Sequence, residues 1–225
     1  MEPGNRPYDN DPREVKQVRH LLILGHPDQG SFNHAVAARY VEVAQSNYQT
    51  VDVRDLYAME FDPLLKEIER PQRRPGICGP DARHEIDLIE QSDVIAFVYP
   101  LWFGTPPAII KGYIDRVFGA AFQLSDLKGE RRFGSFVGKP LCLFTSSAST
   151  GPWLDEQGIM SSLQQSFGRY LAAIFGFSST HFFHAASVVD GMSAALGEQR
   201  LFEVGEKARL ICAEAAAARH HSEIS

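Results

Sequence analysis

The sequence predicts an α/β fold: one doubly wound, five-stranded parallel sheet in strand order 2-1-3-4-5. Three observations carry that prediction. Short, wholly apolar runs recur along the chain, the pattern of strands covered on both faces of a parallel sheet. Amphipathic helical stretches alternate with them, which implies right-handed crossovers between parallel strands. The strand count of five favours a 2-1-3-4-5 sheet over a six-stranded dinucleotide fold.

Residues 21–24 form the first strand, which stops at Gly25. GHPDQGSFN follows, turn residues leading into a helix whose N-cap is Ser31 or the residue before it. Phe32, Ala35, Val36, Tyr40 and Val43 mark that helix's inner face. Residues 49–53 give the second strand, followed by RDLYAMEFDP. Residues 64–80 are charged and rich in Pro and Gly, with a short helix expected near 64–70. A helix over 81–92 turns Ala82, Ile86 and Ile89 inward, and residues 94–98 form the third strand. After an aromatic loop, Pro106 and Pro107 suit a helix's first turn, where their missing donors would be unpaired anyway. Ile110, Tyr113, Ile114, Val117 and Phe118 then make one apolar stripe.

Residues 121–138 are expected to be irregular, with an exposed turn at 129–132, and 140–145 form the fourth strand. Asp155 is expected to cap a long helix carrying Ile159, Leu163, Phe167, Tyr170, Leu171 and Ile174 and ending at Gly176. Residues 180–185 form the fifth strand. A closing helix over 197–219 buries Leu201, Val204, Ala208, Ile211 and Ala215. Residues 1–18 read as a disordered tail, 19–219 as one domain and 220–225 as a frayed end.

Apolar residues at 44% and charged residues at 22% suit a globular chain with a sizeable core. A formal charge of −6 with scattered Lys and Arg gives no electrostatic reason to expect nucleic acid. Cys142 and Cys212 read as small core residues, and three cysteines without ligand spacing fit a reducing compartment. No apolar run approaches the roughly 20 residues of a membrane span. The expected location is cytoplasmic.

Several chemistries lack their signatures. No G-x-G-x-x-G follows the first strand, and no G-x-S-x-G elbow occurs. GSFVGKP at 134–140 is one residue short of a P-loop and precedes a strand rather than a helix. No His, Asp, Glu or Cys cluster suggests a metal, and His181 and His184 read as strand residues. Three loops remain, each after a strand's carboxyl end: residues 26–33, 100–104 and 145–152. In a 2-1-3-4-5 sheet they converge at the switch point where ligands bind. The first supplies a helix N-terminus with Ser and Asn, suited to a phosphate. The second supplies aromatic rings, and the third supplies hydroxyls and small residues. Phosphate at one end and a planar π-system at the other describe a flavin nucleotide or a generic nucleotide.

GHPDQGSFN, DLYAMEFDP and PLWFGTPPAIIKGYIDRVFG resemble the flavodoxin-like NAD(P)H:quinone oxidoreductases over roughly residues 20–160. The resemblance implies a flavin whose phosphate side meets His26, Ser31, Phe32 and Asn33. It places the isoalloxazine against Pro100, Leu101, Trp102 and Phe103, largely through backbone donors, with Thr145, Ser146, Ser147 and Ala148 continuing the cradle. It further implies FAD, with FMN as the alternative, NAD(P)H as co-substrate, a quinone-like acceptor, ping-pong hydride transfer and a homodimer. No catalytic side chain carries over. The residues aligned with a proposed Tyr/His relay are Met160 and either Trp153 or Leu154. Two acceptor-pocket tyrosines correspond to Leu124 and Asp126, Trp102 replaces a Gln, and Ser147 and Ala148 replace glycines. Two rival readings are a regulatory flavoprotein subunit of an ion-transport system and a flavodoxin-type electron carrier. The carrier ranks last, because GHPDQGSFN stands where its Thr/Ser/Gly loop would be.

Overall fold

The computed structural model of the chain describes residues 17–70, 78–121 and 134–224. Five strands, β1 (Arg19–Leu24), β2 (Thr50–Asp55), β3 (Val94–Pro100), β4 (Pro140–Ser146) and β5 (Ser179–Ala185), pair in parallel in the order β2-β1-β3-β4-β5. The register sets Leu24 beside Val98 and Pro100 beside Ser146, so the strands' carboxyl ends lie together along one edge. Every residue of β3 is buried, as its uninterrupted apolar run requires.

Alternate residues divide the core between the two faces of the sheet. Leu21, Ile23, Ile95 and Phe97 pack under α2 (Pro80–Gln91) and α3 (Ala108–Tyr113). Leu22, Leu24, Ala96 and Val98 pack under α1 (Phe32–Ser46) and the closing helix. Cys142 and Cys212 are free thiols buried in that second layer, as their apolar surroundings in the sequence imply.

Pro107 sits at the N-cap of α3 rather than in its first turn. The helix continues through a π turn (Ile114–Phe118) into Gly119–Ala121, and all five stripe residues are buried. Arg116 projects from this turn with 3% of its side chain exposed. It is bonded by Glu69 and Asp81 and donates to the carbonyl of Asp62. Three chain segments are thereby pinned to the helix that follows the aromatic loop. The expected short helix near 64–70 is a single 3₁₀ turn (Glu67–Glu69).

The helix expected after β4 is broken where the sequence suggested continuity. Asp155 does not cap it but lies inside a short helix, α4 (Gly151–Glu156). Gly158, in the left-handed conformation at φ 68°, then opens α5 (Ile159–Leu163). A second π turn (Gln164–Arg169) leads into α6 (Tyr170–Phe175). In an unbroken α-helix Leu163 and Leu171 would face about 80° apart; one inserted residue reduces that to about 20°. Both leucines are buried, and Tyr170 turns outward. The closing helix α7 (Ala194–Ile224) starts earlier than expected and continues through residues 220–224, where a frayed end was expected. The expected turn at 129–132, with Leu124 and Asp126, and the tail over 1–16 lie outside the described residues.

Candidate functional site

A cavity of about 530 Å³ opens at the carboxyl edge of the sheet, between the loops after β1, β3 and β4. Of the residues singled out in the sequence, His26, Ser31, Phe32, Asn33, Pro100, Leu101, Trp102, Ser146, Ser147 and Ala148 line it. Two do not. Thr145 is a buried strand residue whose side chain turns toward β5, and Phe103 is fully exposed on the outside of its turn. The 188–192 segment after β5, which the sequence reading passed over, forms a further wall.

One end of the cavity is built on the start of α1. Ser31 is the N-cap, and the N–H groups of Phe32 and Asn33 have no partner within the described chain, leaving two donors of the helix start directed outward. His34 lies behind Ser31. Its Nδ1 is 2.9 Å from the Ser31 hydroxyl and its Nε2 is 3.1 Å from Asp55 Oδ2. In the neutral imidazole, the carboxylate at Nε2 places the proton there, so Ser31 donates to Nδ1. Asp55 also accepts from Gln29 and from the backbone of Tyr57 and Ala58. Burial raises the Asp55 carboxyl, but the bonds from Gln29, His34 and Ala58 outweigh it and hold the group below its ordinary range. His26 is lowered chiefly by partial burial, and its ring meets Trp102 edge-on at 6.0 Å.

The loops after β1 and β4 are tied by a buried strut. Asn33, 3% exposed, donates its amide to Ser146 Oγ at 3.0 Å, and that hydroxyl donates back to Asn33 Oδ1 at 3.2 Å. The Asn33 side chain therefore fixes the cavity's width rather than reaching into it.

The other end is framed by the loops after β3 and β4. Trp102 and Thr105 exchange backbone hydrogen bonds around Phe103 and Gly104, whose φ angles of 52° and 78° make a type I′ hairpin turn. A bulky residue in that conformation costs roughly 1–2 kcal/mol. The expected row of backbone donors is only partly available. Pro100 has none, Leu101 N–H is held by Ser146 O at 2.7 Å, and Trp102 N–H by Thr105 O. Free donors remain at Phe103 and, across the cavity, at Ala148.

Ser147 faces the cavity and is backed by His184 on β5, whose Nε2 lies 3.0 Å from the Ser147 hydroxyl. His184 Nδ1 lies 2.8 Å from Thr145 Oγ1, which itself donates to Phe183 O. The proton therefore sits on Nδ1, leaving Nε2 to accept from the Ser147 hydroxyl, whose proton has Ser149 O at 3.3 Å as its other acceptor. Burial, reinforced by the Arg200 guanidinium, lowers His184 to about 4. At the proposed relay positions, Met160 packs on the core, Leu154 is buried and Trp153 is exposed; none titrates. A second, shallower groove of about 400 Å³ runs along the opposite side of His34, between α1 and β2, past Ala38, Val41 and Val53.

A family model described as having a flavodoxin-like fold matches residues 18–208. The chain belongs to this flavodoxin-like family. Among its curated relatives, an NAD(P)H oxidoreductase of Haemophilus influenzae is 38% identical over 147 residues, which are 65% of this chain and 72% of that one. The NAD(P)H dehydrogenase [quinone] 1 of Cavia porcellus is 37% identical over 122 residues, 46% of this chain and 44% of that enzyme. The match thus spans less than half of the mammalian relative. Among solved structures, an NAD(P)H:quinone oxidoreductase from Methanothermobacter marburgensis superposes with a TM-score of 0.72 at 24% identity, covering 86% of this chain and 96% of that one. An FMN-dependent NADH-azoreductase from Bacillus anthracis gives 0.62 at 15% identity, covering 86% and 99%. At these identities the structural likeness establishes the flavodoxin-like fold alone. Among the described residues, no group of three or more His, Cys, Asp or Glu is placed to hold a metal, and no helix is long and apolar enough to cross a membrane.

Proposed function

We propose that the cavity holds a flavin nucleotide and that the chain uses it to pass hydride equivalents from NAD(P)H to a quinone or a similarly flat acceptor. One observation carries this reading: a single cavity joins the donor-rich start of α1 to an edge flanked by Trp102, Leu101 and Ala148. A phosphate at the first and a planar ring system at the second satisfy both sets of groups. When bound, a flavin supplies reversible two-electron chemistry, and the protein's part is binding, orientation and electrostatics.

The residues fit that part. The N–H groups of Phe32 and Asn33 with the Ser31 hydroxyl hold the anionic end. The half-exposed Trp102 indole and the Pro100–Leu101 backbone bound the ring and exclude water from one side. The Ala148 N–H, on a residue lining the cavity, is a donor left for a polar ring atom, and the Phe103 and Gly104 N–H groups in the neighbouring turn are unclaimed. The names borne by the Haemophilus and Cavia relatives support NAD(P)H and quinone as the substrate classes. The exposed rings of Trp102 and Phe103, in the loop beside the cavity, support a homodimer in which a partner covers this side. FAD is the cofactor implied by the first-loop and DLYAMEFDP motifs, with FMN the alternative.

Purification followed by release and identification of the chromophore tests the reading, together with NADH and NADPH turnover in the presence of menadione. Bound flavin with quinone-dependent oxidation is the expected result. A colourless protein that takes up neither FAD nor FMN contradicts it, and bound flavin without turnover favours a regulatory flavoprotein.

A further inference from the structure

His34 touches both Ser31, at the start of α1, and the Asp55 carboxylate outside the cavity. Its far nitrogen is fixed by Asp55, and its near nitrogen currently receives the Ser31 proton. In that state the Ser31 hydroxyl points its hydrogen away from the cavity and offers an incoming anion only lone pairs. The arrangement is therefore set against a phosphate unless one more proton arrives.

We propose that His34 is a proton-linked positioning residue, which takes up one proton when a phosphate dianion seats at the start of α1 and so turns the Ser31 hydroxyl toward it. This rests on the flavin-nucleotide reading with FMN as the nucleotide, because only a terminal phosphate monoester is a dianion, and it names the charge state that the site selects. The balance is simple. One proton passes from solvent to Nδ1, the N–H bond formed there donates to Ser31 Oγ, and the Ser31 O–H rotates to donate to a phosphate oxygen. Nε2–H continues to donate to Asp55, so the imidazolium is paired on both sides. No heavy-atom bond changes.

The groups facing His34 support a cation there. Asp55 approaches from β2 at 3.1 Å, and Asp28, in the loop after β1, lines the same cavity as Ser31. His26 lies with its ring centre 6.4 Å from that of His34 and opposes the charge. Glu42, further along α1, borders the outer groove with His34 and is paired with Arg39. Asp190 lines the cavity from the segment after β5. Without a proton on His34, a phosphate dianion would meet Asp28 and Asp190 with only neutral donors between them.

Calorimetric titration of flavin-free protein with FMN and with riboflavin, in two buffers of different ionisation enthalpy, tests this. A phosphate monoester has its second pKa near about 6, so FMN is dianionic from about pH 7 to about pH 9. FMN binding is expected to take up close to one proton and so to weaken about tenfold per pH unit across that window, while riboflavin binding does neither. His34→Gln is expected to abolish both the uptake and the pH dependence. Asp55→Asn, which leaves the imidazole in place, is expected to reduce the uptake and serves should His34→Gln fail to fold. FMN binding with no proton uptake, or with the same uptake in His34→Gln, overturns the proposal while leaving the flavin site standing. Failure of both flavins to bind overturns both.

Discussion

His34 and His184 stand behind two serines that face the same cavity, yet their far nitrogens meet different partners. Behind His34 is the carboxylate of Asp55; behind His184 is the hydroxyl of Thr145, with the Arg200 guanidinium nearby. The same pair of residue types is thus placed in opposite electrostatic surroundings. Asp55 places a negative charge behind His34, whereas burial and a guanidinium keep His184 neutral. The difference teaches that a histidine's second neighbour, not its contact with the ligand-facing serine, decides what that serine can offer.

The strut between the two ends gives the largest expected effect. Asn33→Ala removes both bonds to Ser146 and leaves a buried hydroxyl unpaired, at a cost of about 2 kcal/mol in chemical denaturation. Flavin retention should fall with it, because the two ends lose their fixed separation. Ser31→Ala sharpens the contrast at one end only. Loss of the N-cap should cost about 1 kcal/mol of stability, and FMN affinity should drop while riboflavin affinity does not, read by fluorescence quenching.

Phe103→Asn acts at the opposite end and in the opposite direction. Asn-Gly is the favoured pair for a type I′ turn, so relief of the positive φ should raise stability by about 1 kcal/mol. A partner surface that uses the Phe103 ring would be lost at the same time, visible as a change in oligomeric state. His184→Gln is the mildest change and concerns pH. The native pKa of His184, about 4, lies below its unfolded value, so between about pH 6.5 and about pH 4 only the unfolded chain binds that proton. Stability therefore falls as pH drops through this window. The variant should show a flatter fall in melting temperature, though not a flat one, because His20 and His181 are lowered by burial too.

Much of this was legible in the sequence. Short runs, most of them wholly apolar, gave five strands, their alternation with amphipathic stretches gave a parallel sheet, and the count of five favoured the order observed. The i, i+3, i+4 spacing from Ile110 to Phe118 identified the right buried stripe even through a π turn. That spacing misled after β4. There Gly158 breaks the helix, an inserted residue resets its face, and Tyr170 is carried outward. Periodicity reports which residues are apolar, not whether one extra residue intervenes.

The site was legible where a loop carried turn residues next to rings or hydroxyls. Segment 188–192 carries neither, and β5 lies beyond the switch point, so nothing flagged it. Asp55 opens the DLYAMEFDP motif, but its bond to His34 spans 21 residues and exists only once α1 lies against β2. The backbone donors expected from Leu101 and Trp102 were misjudged for a similar reason: the neighbouring loop and the type I′ turn claim them first.

The most direct test of the account is to fill, in turn, the cavity at the sheet's carboxyl edge and the groove between α1 and β2. Ala148 and Ala38 are both exposed, one lining the cavity at the sheet's carboxyl edge and the other the groove between α1 and β2. The account predicts that Ala148→Trp abolishes uptake of FMN and FAD by the flavin-free protein, whereas Ala38→Trp binds as the wild type does. Unchanged flavin binding in Ala148→Trp, with binding lost in Ala38→Trp, would contradict it.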